Sequence, residues 1–300
     1  MVALSLTPMD LITKVNFAPG PAVGLALGLL LYLGGVRRLA AKGRSWPRSR
    51  TLAFASGSAM LAFALLSGLA SYDDTNFTIH VIQHMLIGML APILLALSAP
   101  ITLAIQAGDR RTQTAILRTV HSLPMRVLSN PVVTWGIFGG SLFVLYFTNL
   151  YAYSLHHSVV HDLIHLHFIA AGALFYWPVV GIDPIPHRMH YGFRIVYLFM
   201  ALPFHTVLGM ALISQDHAIA SGISLQDLHT GGGLMWAGGE MIGLIAGVAV
   251  LVQWLRAEER AVRRSDRTTE DQALAQAAAW RATGKGRPGT PVPARPAPGR

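Results

Sequence analysis

Long apolar runs separated by short polar or basic segments set the plan of this chain. Seven runs, roughly 17–36, 51–70, 80–98, 132–150, 157–178, 194–213 and 233–254, are each about 18–22 residues long and nearly free of charge. At 1.5 Å per residue such lengths cross about 30 Å of hydrocarbon as helices. The pattern predicts an all-α integral membrane protein with seven transmembrane helices. It divides the chain into an external N-terminal segment (1–16), a transmembrane domain (17–254) and a basic, largely disordered cytoplasmic tail (255–300). The first run is read as a span rather than a cleaved leader, because no basic segment precedes it and a basic one follows. The tail starts as a charged stretch with helical character (Glu258, Glu259, Arg260, Arg263, Arg264). It ends in GKGRPGTPVPARPAPGR, a Gly/Pro/Arg-rich sequence that cannot bury a core.

The basic residues orient these runs. Segment 37–50 holds Arg37, Arg38, Lys42, Arg44, Arg48 and Arg50, and segment 106–130 holds Arg110, Arg111, Arg118 and Arg126. The next connection on that side brings Arg188 and Arg194. The alternate segments 71–79, 151–156 and 214–232 hold no Lys or Arg, and only Lys14 lies on their side. The positive-inside rule then predicts an outer N-terminus and a cytoplasmic C-terminus. The net charge of +9 follows from this one-sided distribution and from a tail that can touch anionic lipid heads, so nucleic acid is not among the expected partners.

Composition narrows the chemistry. The chain is 53% hydrophobic and 12% charged, and it has no cysteine. Disulfides, iron–sulfur clusters, thiolate metal sites and cysteine nucleophiles are therefore excluded. A metal would have to be held by His, Met, Asp or Glu. A retinal Schiff base is excluded too, since no lysine lies within a span.

Ten of the thirteen histidines (His80, His84, His156, His157, His161, His165, His167, His205, His217, His229) fall in or near the predicted outer half. Ionisable groups in a membrane are costly and mark function, and neutral imidazole is the commonest protein metal ligand. His80 and His84 are spaced i, i+4 and share a helix face. His157, His161 and His165 form a stripe reaching about 12 Å inward. His205 lies well inside the sixth run, with the alternative role of bonding a carbonyl freed near Pro203. Asp73, Asp74 and Asp162 could ligate or orient an imidazole. Asp227 and His229 precede a glycine run, and Glu240 sits inside the seventh run as a relay group, a partner for His205 or a ligand. Met85, Met89, Met210 and Met235 are soft donors suited to Cu(I), though methionines in apolar helices commonly serve packing. His121, His187 and His190 lie on the basic side and are read as loop or headgroup contacts.

In chain order, IQHMLIGMLAPILLALSAP, HDLIHLHFIAAGALFYWPVVGIDP, FHTVLGMAL, DLHTGGGLMWAGGE and the basic WLRAEERAVRRSDR resemble the CtaG family of caa-type cytochrome c oxidase assembly factors, over roughly residues 15–267. The resemblance implies a multi-pass protein of the bacterial plasma membrane that helps mature a haem–copper oxidase at a copper centre. The matching motif positions are His80, His84, His161, His165, His205 and Asp227. The family often has Asp-Gln-Gln where this chain has Asp227-Leu228-His229, which leaves His229 outside the shared pattern.

Together these readings predict copper binding or delivery at the outer face, without catalysis. His80, His84, His161 and His165 would be the main ligands, with His157, His205, Asp227, Met210 and Met235 as further members. Expected partners are the oxidase's copper-containing subunit II or subunit I, extracellular copper chaperones and membrane lipid. Two alternatives stay open. One is a zinc-dependent seven-span hydrolase, in which histidines hold Zn²⁺ and an aspartate helps activate water. The other is a bis-histidine haem protein with ligands from the third and fifth runs.

Overall fold

The computed structural model describes residues 14–16 and 18–283. The Gly/Pro/Arg-rich end of the tail (284–300) and nearly all of the expected external segment lie outside the described residues. The described chain is helical, with one isolated antiparallel bridge between Val15 and Ser67.

The helices are α1 (Pro19–Ala41), α2 (Arg48–Leu66), α3 (Leu69–Tyr72), α4 (Phe77–Met85), α5 (Ala91–Leu97), α6 (Pro100–Ala107), α7 (Arg110–Val120), α8 (Leu123–Leu128), α9 (Pro131–Phe147), α10 (Leu150–Ser154), α11 (Ser158–Val180), α12 (Tyr191–Ile213) and α13 (Leu225–Thr283). A π-helical turn, Leu86–Leu90, joins α4 to α5. Six helical stretches are long and apolar enough to cross a membrane: Pro19–Ala41, Arg48–Leu66, Phe77–Ala107, Ser158–Val180, Tyr191–Ile213 and Leu225–Ala279. The fourth expected run forms the shorter α9, of 17 residues. It starts where the Asn130 side chain accepts from Val132 N and Pro131 takes a first-turn position, and it stops at an extended Thr148.

The chain divides after Leu251 into two units, the first a bundle and the second beginning at Val252. In the bundle, α2 packs on α5, and α11 packs on both α5 and the π turn. α9 lies against α11 and α12, while α1 lies against α2 and α6. Glycine sets the closest approaches. A Cβ on Gly172 of α11 would run into the carbonyl of Gly88 in the π turn, and one on Gly209 of α12 would stand 2.6 Å from the carbonyl oxygen of Gly232 in α13. The described part of the second unit is exposed helix. It is rich in Ala, Glu, Gln and Arg, which are strong helix formers, and its helix runs to Thr283.

α13 also starts earlier than its apolar run, at Leu225 rather than near 233. Ser224 explains the start: its Oγ accepts from Asp227 N at 3.1 Å and its carbonyl accepts from Leu228 N at 3.0 Å. Asp227 and His229 are therefore helical residues, and the glycine run that follows stays within the helix.

The third span breaks at its far end. Ala99 is left-handed (φ 51°) and Pro100 opens α6, so the chain turns there instead of continuing straight. The carbonyl of Ser98 accepts from the Tyr32 hydroxyl at 3.1 Å, which in turn accepts from Trp46 Nε1 at 3.0 Å.

Candidate metal centre

Two helices and one short connection build the site. α4 starts at the polar end of the bundle because two side chains cap it. Asn76 accepts from Ile79 N at 2.9 Å. Asp227, reaching over from α13, accepts from Phe77 N (2.6 Å), Thr78 N (3.0 Å) and the Thr78 hydroxyl (2.6 Å). A carboxylate at a helix N-terminus is favoured by hydrogen bonding and by the helix dipole. The capped first turn presents His80 and His84 to the interior, where 1% and 5% of their surface remains exposed. From the other side, α11 presents His161 and His165 at the same i, i+4 spacing.

The four imidazoles meet. The His80 and His161 rings lie 5.9 Å apart, those of His84 and His165 lie 5.6 Å apart, and both pairs are edge to face. The His80 and His84 rings are 3.9 Å apart. Between His161 and His165 stands Asp73, at the end of α3 and 4% exposed. Its Oδ2 is 3.2 Å from His161 Nε2 and 3.5 Å from His165 Nε2, and the two nitrogens are 3.1 Å apart. A triangle with these sides has its centre about 1.9 Å from each corner, close to the 2.0–2.2 Å typical of metal–nitrogen and metal–carboxylate bonds. Asp73, His161 and His165 thus form a two-histidine, one-carboxylate set that fits a metal ion.

Unmet hydrogen bonds lie beside this triangle. Both ring nitrogens of His80, His84 Nε2 and the Tyr151 hydroxyl are buried without a partner among the described residues. Native interiors leave few such groups, and each costs about 1–3 kcal/mol unless a water or ion satisfies it. Aromatic rings hold His80 in place: Tyr151 at 4.8 Å, Phe77 at 6.0 Å and Tyr146 at 6.1 Å. Burial, followed by the charge of Asp227, pushes the Tyr151 hydroxyl above its ordinary range, so it stays a neutral donor.

A polar cavity of about 380 Å³ opens onto the triangle, lined by Asp73, Asp74, His156, His161, Asp162 and His165 among others. It gives a solute access from the end opposite the arginines. Burial and the repulsion of Asp73 raise the Asp74 carboxyl above its usual value.

The other expected site residues are placed as follows. His157 is exposed; its Nδ1 is 2.9 Å from the Tyr153 carbonyl, and its ring stacks on Tyr153 at 3.9 Å. It caps α11 instead of joining the stripe, because its backbone is extended (φ −136°) and so leaves the helical register. Asp227 is engaged by the first turn of α4, as above. Met210 is 45% exposed. Met235 and His205 are buried deeper, where they share a small cavity with His84. His229 meets the Gln215 carbonyl at 2.9 Å, and Glu240 accepts from the Thr206 hydroxyl rather than meeting His205. Asp162, expected to orient His165, lines the open cavity; Asp73 is the carboxylate that contacts both histidines. Sequence reasoning missed Tyr146 and Tyr151, for which spacing gives no signal. It also missed Asp183, whose carboxylate accepts from Thr102 N (2.7 Å), the Thr102 hydroxyl (2.5 Å) and Trp177 Nε1 (2.9 Å) and so ties α6 to the end of α11.

The sequence profile of the cytochrome c oxidase caa3 assembly factor family matches residues 30–257, which cover every buried histidine named above. The chain belongs to this family. The CtaG assembly factors therefore supply its class, and its six long apolar helices suit a multi-pass membrane protein. Uncharacterized proteins of Mycobacterium bovis and Mycobacterium tuberculosis are each 33% identical to it over 263 residues, covering 82% of this chain and 39% of theirs. One of Mycobacterium leprae is 34% identical over 267 residues, covering 82% and 40%. The chain thus spans about two fifths of the length of these curated relatives. No solved structure matches it.

Proposed function

We propose that this CtaG-family protein binds copper at the histidine end of its bundle and delivers it to a haem–copper cytochrome c oxidase during assembly, without itself catalysing a reaction. The Asp73–His161–His165 triangle carries the reading, with the unpartnered nitrogens of His80 and His84 beside it. Copper is cargo here. A donor set of imidazole and carboxylate without thiolate suits an ion that must be given up again, and the absence of cysteine leaves no competing thiolate within the chain.

In this reading the chain crosses the membrane seven times. α9, about 25 Å long at 1.5 Å per residue, is the fourth crossing and needs only slight bilayer thinning. The N-terminus is outside and the basic segments are cytoplasmic. The histidine end then faces the exterior of a bacterial plasma membrane, where extracellular copper chaperones and the copper-bearing subunit II, or subunit I, could reach it.

The test is metal content of the detergent-purified full chain after loading with copper or with zinc. The native protein is expected to hold at least one copper per chain. Asp73→Asn and the pair His161→Ala/His165→Ala should each lower its affinity at least about tenfold. Unchanged copper in both variants would overturn the reading.

One observation favours a second reading. Two histidines and a carboxylate facing an open cavity of about 380 Å³ also match a catalytic zinc site, which keeps a coordination position for water. Tight zinc, together with amide or ester hydrolysis lost in the same variants, would put that reading first.

A further inference from the structure

The bundle contains a second group of metal-type donors that the triangle does not use. Deeper than Asp73, where α4, the π turn, α12 and α13 converge, lies a cavity of about 20 Å³. Two imidazoles, His84 and His205, and three thioethers, Met85, Met89 and Met235, stand in its wall. The rest of the wall is hydrocarbon. His205, Met89 and Met235 are buried to within 5% of complete, and His84 Nε2 has no partner among the described residues. About 10–15 Å³ suffices for one water-sized guest, but a water needs two to four polar partners. Thioethers and hydrocarbon are poor partners for water and good ones for a soft monovalent cation.

Two local features assemble this wall. In a regular α-helix His84 and Met89 would be about 140° apart, on different faces. The π turn between them, in which Ala91 N bonds to the Leu86 carbonyl, widens the helix so that both reach one cavity. The consecutive glycines of α13 then make room for two donors. A Cβ on Gly238 would strike the Met85 thioether, and one on Gly239 would stand 2.6 Å from His205 Cγ. Methionines that merely fill a core have no need of an adjacent imidazole pair or of glycines beneath two of the donors.

We propose that this cavity is a Cu(I) site, separate from the triangle and joined to it through His84, whose ring lies 5.6 Å from that of His165. The proposal rests on the copper reading above for its cargo. The carboxylate-bearing triangle, next to the open cavity, receives the ion. The thioether cavity, far smaller and free of carboxylate, retains it as Cu(I). No change of oxidation state is involved, since Cu(I) is the ion received and the ion retained.

The test uses the full chain in detergent, loaded with Cu(I) under reducing conditions and, separately, with Zn²⁺. The native protein is expected to bind about two Cu(I) per chain, with sulfur scattering in the copper X-ray absorption spectrum. Met85→Leu/Met89→Leu/Met235→Leu, close to volume-conserving and checked by thermal melting, should lose the sulfur signal and one Cu(I) while Zn²⁺ uptake at the triangle is unchanged. A copper shell of nitrogen and oxygen alone, sulfur scattering retained in the triple variant, or no Cu(I) binding at all would overturn the proposal. The two readings fail separately. Sulfur-bound Cu(I) that survives in Asp73→Asn/His161→Ala, in a protein whose Zn²⁺ uptake never depended on those residues, would keep the cavity site and remove the triangle's role.

Discussion

The histidine end and the arginine end of this bundle are built from the same helices but treat buried polar groups in opposite ways. At the arginine end most such groups are matched. Asp183 accepts three strong hydrogen bonds. The buried guanidinium of Arg194 donates to the carbonyls of Met189, Val179 and Val180, and Thr134 meets Tyr197 at 2.6 Å. At the histidine end His80, His84 and Tyr151 have buried atoms unmatched among the described residues. The difference teaches where stability was given up. One end uses its polar groups to hold helices together, whereas the other leaves buried lone pairs unmatched among the described residues, as the proposed metal site would require.

Three outcomes would break or sharpen this contrast. The largest is expected at the arginine end. Asp183→Ala should destabilise the protein by about 2–4 kcal/mol, since it removes a charged acceptor and strands buried donors. Metal content per folded chain should not change; a loss of metal with unchanged melting would reverse the assignment of roles. Next, His80→Leu should stabilise the metal-free protein by about 1–3 kcal/mol, because two unpartnered nitrogens are exchanged for hydrocarbon of similar size. Denaturant melts of metal-free samples would show this, and a clear loss of stability would mean that His80 is a satisfied core residue. The smallest effect concerns Asp109, the exposed cap of α7, whose carboxyl is held below its usual value by Thr112 N at 2.8 Å. A lowered folded value gives stability above the unfolded value of 3.8 that is lost as the pH falls through the folded one. Asp109→Ala should therefore melt slightly lower than native at neutral pH, with the gap closing below about pH 4.

Much of this was legible in the sequence, for reasons specific to each element. The apolar runs gave the helices because length and hydropathy decide what can cross a bilayer. The pairing of His80/His84 with His161/His165 follows from i, i+4 spacing on two helices that both begin at the polar end. Other features could not be read because they depend on chain-distant contacts. Asp73 is one of several acidic residues near that end, and only its contacts with His161 and His165 in the fold select it over Asp162. Asp227 looked like a ligand, yet in the fold it caps a helix about 150 positions away in the chain. The early start of α13 was available in Ser224 and Asp227, a cap signal masked by the glycines that follow. The π turn leaves no mark in hydropathy at all.

That turn has one further consequence. A π turn amounts to one surplus residue threaded into a helix, and about 100° of rotation separates the helix before it from the helix after it. The third span is thus two screws of different phase joined end to end, one set against the imidazoles of α11 and the other against α2 and the body of α11. Deleting a single residue within Leu86–Leu90 would leave length, hydropathy and every motif nearly intact. It would also turn one screw against the other, so that the span could seat its histidines or its packing face, but not both.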